Sequence, residues 1–272
     1  MKKNTLRCML PALTLLLLGC SQTAHESETV LARQNTSAVL WVQNSAEYYA
    51  LVTQAFNMAR YAFDQAESEP GKKKAVVVDI DETIMNNAPY EAHKVQTGEL
   101  YSKRNWNEWI GKESAKPVPG AIVFANYVIR QGGEVFYVSN RKQTDYLHTM
   151  NNLIKVGFPQ VSSKTLLLRD DMANKQQRFN KISDAGYDIV VYLGDNLDDF
   201  GSDFYRKKES ARKRAVSENA PKFGRQFIIM PNPMYGSWEN VLTDKYPGLN
   251  VQEKTEARLK LIRDADYRSK QP

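Results

Sequence analysis

From residue 75 onward the chain alternates short apolar runs with longer amphipathic ones, and this repeat restricts the available folds more than any other feature. Ala75 to Val78, Val135 to Val138, Thr165 to Leu168, Ile189 to Leu193 and Phe227 to Met230 are each brief and apolar, as buried strands are. Between them, Pro119 to Arg130 starts on proline and is followed by Gly132-Gly133. Asp145 to Val156 is closed by Gly157, and Lys175 to Asp184 by Gly186. Proline at the start and glycine just past the end are helix punctuation. Strands alternating with helices predict an α/β fold: a Rossmann-like parallel sheet, covered on both faces, with right-handed crossovers. In such sheets ligands sit beyond the carboxyl ends of the strands.

The other segments frame that core. Between Ser37 and Glu67, Trp41, Tyr48, Val52, Phe56, Ala59 and Phe63 recur at helical spacing, which predicts one or two amphipathic helices, stopped by Pro70-Gly71. Residues 86–116 are rich in Tyr and Trp and too long for a plain connection, so they are expected to form a helical cap over the strand ends together with the N-terminal helices. The main domain is thus assigned to residues 37–272, with its core at about 72–85 and 117–235. Gln252 to Asp264 is charged, with Leu259, Leu261 and Ile262, and reads as a closing helix on the outside.

At the N-terminus, Lys2, Lys3 and Arg7 precede an apolar run from Met9 to Leu18 that ends in Leu17-Leu18-Gly19-Cys20. A run of that length is too short for a permanent span, whereas a basic start, a short apolar centre and a small residue before the cut describe a secretory signal. Residues 1–19 are expected to be a lipoprotein signal peptide, with Cys20 lipid-modified. Ser21 after Cys20 favours the outer membrane by analogy with lipoprotein sorting. Residues 20–36 show no apolar period and are expected to be a flexible tether. Cys8 leaves with the signal, so the mature domain has no cysteine pair for a disulfide or thiol chemistry, and its stability must come from its core.

With 42% hydrophobic and 25% charged residues the chain can build a sizeable core. Its net charge of +6 falls to +3 once Lys2, Lys3 and Arg7 are removed, because residues 1–19 hold no acidic residue. A weak positive excess suits small anionic substrates and does not suggest a nucleic-acid polymer. The basic run Arg206 to Arg214 reads as a solvated helix face. His25, His93 and His148 are scattered and no Arg-His-Gly motif occurs, which argues against a histidine phosphatase.

Four places just past predicted strands carry candidate chemistry. Asp79-Ile80-Asp81-Glu82-Thr83 presents two carboxylates one residue apart, able to divide attack and proton transfer, and their repulsion calls for a cation. Gly194-Asp195-Asn196-Leu197-Asp198-Asp199-Phe200 delivers further carboxylates, and such oxygen ligands suit Mg²⁺. Ser139 and the N–H groups after it, including that of Asn140, can donate to phosphate oxygens, and Lys175 at a helix start can offset phosphate charge.

This ordered set resembles the haloacid dehalogenase superfamily and, within it, the bacterial class C nonspecific acid phosphatases. The resemblance implies a haloacid dehalogenase-type fold and a phosphomonoesterase with one Mg²⁺ per subunit. By the same resemblance Asp79 is the nucleophile and Asp81 the general acid that later activates water. Asp195 ligates the metal with Asp79 and the backbone carbonyl of Asp81, and Asp199 holds the metal's surroundings. Ser139, Asn140 and Lys175 match the family's phosphate-binding positions, and Asp198 falls at a variable position and takes no role. Trp106 and Tyr235 resemble positions that sandwich a nucleobase, with Asn87 and Gln54 as ribose contacts, which implies 5'-nucleotides or nicotinamide mononucleotide as substrates. A homodimer and an acidic optimum are further family-level expectations. A phosphotransferase, and a surface ligand-binding lipoprotein with a vestigial site, stay open as alternatives.

Overall fold

The structure is a computed structural model and describes residues 26–262. Strands β1 (Lys73–Val78), β4 (Glu134–Lys142), β5 (Leu166–Arg169), β6 (Tyr187–Gly194) and β7 (Phe227–Ile229) form one parallel sheet in the order β5-β4-β1-β6-β7. The chain builds outward from β1 to β4 and β5, then crosses to β6 and β7 on the other side. The direction of winding therefore reverses at β1, which puts the ligand crevice at the carboxyl end of the central strand.

Side-chain alternation along β1 explains why both faces are covered. Val76 and Val78 pack into a core with Val52 and Phe56 of α3 (Ala46–Gln65), Phe124 of α6 (Ala121–Arg130) and Leu153 of α7 (Tyr146–Val156). Ala75 and Val77 point the other way, towards Phe179 and Ile182 of α8 (Gln176–Asp184). A strand buried on both sides needs an unbroken apolar run, and Ala75-Val76-Val77-Val78 supplies one. Phe200, Phe204 and Phe227 form a smaller cluster with Ala215 of α9 (Glu209–Glu218).

After β1 the chain leaves the sheet through a two-stranded antiparallel ribbon, β2 (Met85–Asn86) with β3 (Lys116–Pro117). Between its arms lie α4 (Ala88–Thr97) and α5 (Lys103–Gly111). The C-terminal helix α10 (Val251–Leu261) opens on a capping box of Asn250 and Glu253. None of the described helices is long and apolar enough to cross a membrane.

Two expectations are corrected. Residues 26–36 are not an aperiodic tether: residues 26–33 are helical (α1) and α2 (Thr36–Asn44) begins three residues later. Leu31 and Ala32 are the buried pair of α1, and Asn35 donates to Glu91 of α4 at 3.1 Å. Two apolar contacts in one short helix leave no period to detect. The basic run after Arg206 is not wholly solvated either, because Arg212 turns inward and pairs with Asp198 at 2.8 Å. The signal peptide, Cys20 and residues up to 25 lie outside the described residues.

Candidate active site

Asp79 is the first residue beyond β1, and its N–H continues the ladder by donating to Leu193 at 2.9 Å. The carboxylate is thus fixed at the sheet's centre, where it is buried. Asp195 follows β6 directly, and Asp199 sits on the 3-10 turn Leu197–Phe200. That turn is held by a reciprocal pair, Asn196 N–H to Asp199 Oδ2 at 3.0 Å and Asp198 N–H to Asn196 Oδ1 at 3.2 Å. Only glycine fits at 194, since a Cβ there would lie 2.4 Å from the Cβ of Asp199.

Lys175 ends the link from β5 and caps α8, with its side chain 1% exposed. Its ammonium pairs with Asp79 and, at 2.8 Å, with Asp199. Asp195 accepts from Asn232 Nδ2 at 2.8 Å. Carboxylate oxygens of Asp79, Asp195 and Asp199 lie within 4.8 Å of one another. Three carboxylates facing one ammonium leave two negative charges unbalanced, which is the deficit a divalent cation fills, and the all-oxygen donor set suits a hard one. Without a cation, burial raises the Asp79 carboxyl to about 7 against the opposing pull of Lys175, with Asp199 and Asp81 adding to the rise. Asp195 is raised well above its ordinary range by burial and then by Asp199 and Asp79. A bound cation reverses that pressure and releases the protons.

Asp81 faces the other way, towards a guanidinium. Arg141 donates to it through Nη2 at 2.8 Å and Nε at 3.1 Å, and Asn87 Nδ2 adds a bond of 2.9 Å. Arg141 is itself buried, fixed by Thr149 at 3.2 Å and lying 5.7 Å from the Trp106 ring centre. The turn after Asp81 places Glu82 at φ +56°, a left-handed conformation that costs a non-glycine residue energy. Glu82 is held there by the Asn87 N–H at 2.7 Å and the Tyr235 hydroxyl, which donates to its carboxylate. Burial, then the nearby charge of Asp81, pushes the Glu82 carboxyl up to about 8.

Ser139 lies within β4 and not past its end, because the strand runs on to Lys142. Its hydroxyl accepts from the Arg141 N–H at 3.1 Å, and its carbonyl accepts from Arg178 of α8. Arg178 also donates to Asn140 Oδ1 at 2.6 Å. One helix therefore delivers Lys175 to the carboxylates and Arg178 to strand β4, since positions three apart share a face.

The structure brings Asp79, Asp195, Asp199 and Lys175 into one cluster, with Asp81 beside it and Ser139 and Asn140 on the adjoining strand. Trp106 touches the site through Arg141, and Tyr235 through Glu82. Asn87 is buried, and its carbonyl takes the Trp109 N–H at 2.8 Å while its amide serves Asp81 and Glu82. Both hydrogens of its side-chain amide are thus engaged by Asp81 and Glu82. Gln54 is exposed on α3 and lines a groove with Met58, Phe223 and Ile229 that none of the four aspartates lines. His148 pairs with Glu113 at 2.7 Å on the surface. Arg141, Arg178 and Glu82 stand in or beside the motifs but received no role from the sequence, and Asn232 was not singled out. Position alone could have flagged the first two, Arg141 because it follows Ser139-Asn140 and Arg178 because it stands one turn after Lys175.

Comparison with known proteins fits this geometry. The class C acid phosphatase from Bacillus anthracis superposes with a TM-score of 0.82 at 38% identity, covering 87% of this chain and all of that one. The same enzyme with tungstate bound gives 0.81 at 37% identity. Among curated proteins, the stem 28 kDa glycoprotein of Glycine max is 26% identical over 56% of this chain and 62% of its own length. Acid phosphatase 1 of Solanum lycopersicum is 25% identical over 45% of this chain and 50% of its own. The chain thus matches between half and two thirds of the length of these curated relatives. The family model for subfamily IIIB acid phosphatases matches residues 17–238, and the chain belongs to that family of the haloacid dehalogenase superfamily.

Proposed function

We propose that the protein is a Mg²⁺-dependent phosphomonoesterase that hydrolyses its substrate in two steps through a phosphoryl group carried on Asp79. The observation that carries this reading is the buried Asp79, Asp195 and Asp199 cluster with the Lys175 ammonium set into it, at the carboxyl end of the central strand. Family membership and the tungstate complex of the Bacillus relative support it, since tungstate is a tetrahedral oxyanion like phosphate.

In the first step a carboxylate oxygen of Asp79 attacks phosphorus, and the bond to the leaving alcohol breaks. Asp81 gives that alcohol its proton. In the second step Asp81 takes a proton from water, the water oxygen attacks phosphorus, and phosphate leaves while Asp79 regains its carboxylate. Arg141 and Asn87 hold Asp81 in place for both transfers. Lys175 balances charge beside Asp79, and the Ser139 and Asn140 segment of β4, braced by Arg178, offers donors to the remaining phosphate oxygens. One Mg²⁺ per subunit would be held by Asp79, Asp195 and Asp199 with the Asp81 carbonyl, and it would neutralise phosphate charge.

For the substrate we favour 5'-nucleotides and nicotinamide mononucleotide, with Trp106 beside Arg141 and Tyr235 beside Glu82 as stacking walls. The exported chain is assigned to the outer membrane through a lipid on Cys20, as a homodimer. The test is phosphate release from nicotinamide mononucleotide, 5'-AMP and an aryl phosphate, with Mg²⁺ and with chelator. Cation-dependent release supports the reading and ranks the substrates. Absence of release from all three overturns it in favour of a ligand-binding lipoprotein. Adding a competing alcohol separates hydrolysis from phosphotransfer.

A further inference from the structure

Helix α10 and the α1–α2 turn meet around an apolar groove of about 470 Å³ that the catalytic machinery does not use. Its apolar walls are Ala38, Trp238, Leu242, Leu259, Leu261 and Ile262. Trp238 is 40% exposed, Leu259 60% and Ile262 71%, while no residue of α10 is buried. A surface helix draws most of its stability from an apolar face pressed on something. Here polar ties substitute: Arg258 bonds Glu239 at 2.9 Å, the Tyr246 hydroxyl at 2.7 Å and Gln34 at 3.4 Å.

Chain length constrains what can lie against this groove. If Cys20 carries lipid, six peptide steps separate the anchor from Glu26, a reach of at most about 20 Å in any arrangement. The helical stretch from Glu26 to the groove wall at Gln34 adds about 12 Å. A domain of this size is about 45 Å across, so the groove cannot be turned to the side away from the bilayer. An aromatic at its rim and branched aliphatics along one helix are what a bilayer interface accepts.

We propose that the face formed by α10, Trp238 and the α1–α2 turn docks on the lipid bilayer that holds the Cys20 anchor, so that the domain rests on the membrane instead of swinging from a tether. The inference rests on the lipid-anchor reading above. Trp238 is joined to the active site by a short path. Tyr235, three residues earlier, bonds Glu82, and Ser237 donates to Asn196 at 2.5 Å, next to Asp195. The docked face therefore holds the crevice at a fixed height above the bilayer surface.

The test uses the full-length, membrane-extracted protein in vesicles of phosphatidylethanolamine and phosphatidylglycerol with brominated acyl chains, which quench tryptophan only on close approach. The expected result is quenching in the wild type that falls to background in Trp238→Phe. It is also lost in Leu259→Glu with Ile262→Glu, a pair of exposed sites, while all three proteins still sediment with the vesicles and release phosphate normally in detergent. Sedimentation without quenching in the wild type overturns docking and leaves the anchor standing. Quenching unchanged in Trp238→Phe also overturns it, as does a dimer that disappears in the Leu259/Ile262 variant, which would give the groove to a second copy. Absence of lipid on Cys20 by mass spectrometry removes the anchor and the docking together, and is read separately from quenching.

Discussion

Lys175→Met is the substitution whose effect the structure dictates most sharply, and its sign depends on pH. The ammonium is 1% exposed and pairs with both Asp79 and Asp199, so methionine fills the volume but removes the only cation bonded to either carboxylate among the described residues. Breaking a buried pair by deleting one partner costs about 3–5 kcal/mol, because the survivor is left charged without compensation. Here one of the two survivors, Asp79, has an escape. Burial raises Asp79 to about 7 even with Lys175 present, so in acid it takes a proton and needs no counter-charge. The loss should thus be near its full 3–5 kcal/mol at about pH 8 and smaller at about pH 5, where only the pairing with Asp199 is broken. In a domain of this size that corresponds to a fall in Tm of about 10 °C at the higher pH. Thermal or urea unfolding of both proteins in chelator at the two pH values measures it. A loss equal at both pH values, or below about 1 kcal/mol at pH 8, refutes the claim that Lys175 compensates ionised Asp79.

The metal-free wild type carries a related dependence. Asp79 is raised from 3.8 to about 7 and Glu82 from 4.5 to about 8, so the folded chain holds more protons than the unfolded one between those values. Stability in chelator should therefore be greatest below about pH 4 to 5 as far as these groups decide it, and decline as pH rises towards 8. Excess Mg²⁺ should remove the share of that decline that comes from Asp79 and leave the share from Glu82, which is not among the metal's ligands, and a chelated protein that grows more stable from pH 5 to 8 contradicts the assignment. Arg141→Lys replaces a forked contact with a point charge on Asp81, and misplacement of the proton donor should lower kcat by about 100-fold with KM little changed. Equal losses in kcat and in substrate affinity would mean that Arg141 binds substrate instead. Gly194→Ala drives a methyl group into Asp199 and should cost about 2 kcal/mol and weaken Mg²⁺ binding, read by unfolding and by calorimetric titration. Unaltered Mg²⁺ affinity would show that Asp199 does not shape the metal site.

The core was legible because its signals are local and redundant. Four consecutive apolar residues at Ala75–Val78 need burial on both faces, and Gly157 and Gly186 end helices in the left-handed conformation that glycine adopts freely, at φ +100° and +87°. Asp79 and Asp195 were legible for the same reason, since each follows its strand directly, and Asp81 and Asp199 stand in the same two motifs. What the sequence hid depends on long-range partners. Asn87 reads as an exposed polar residue in an insertion until Trp109, Glu82 and Asp81 close around it. Arg212 looks like one charge in a basic run, yet it is buried by its pairing with Asp198. The helix at residues 26–33 is visible only through its contacts, because two buried residues set no period.

The central claim is that Asp79 carries the phosphoryl group, and acid quenching during turnover tests it most directly. Purified protein with Mg²⁺ and a saturating aryl phosphate, stopped in acid within the first turnover and digested, should yield the peptide containing Asp79 with a phosphoryl group attached. The Asp79→Asn variant should give no labelled peptide and no phosphate release while keeping its fold. Rapid phosphate release by the wild type without any protein-bound phosphoryl, or full activity in Asp79→Asn, would contradict the account.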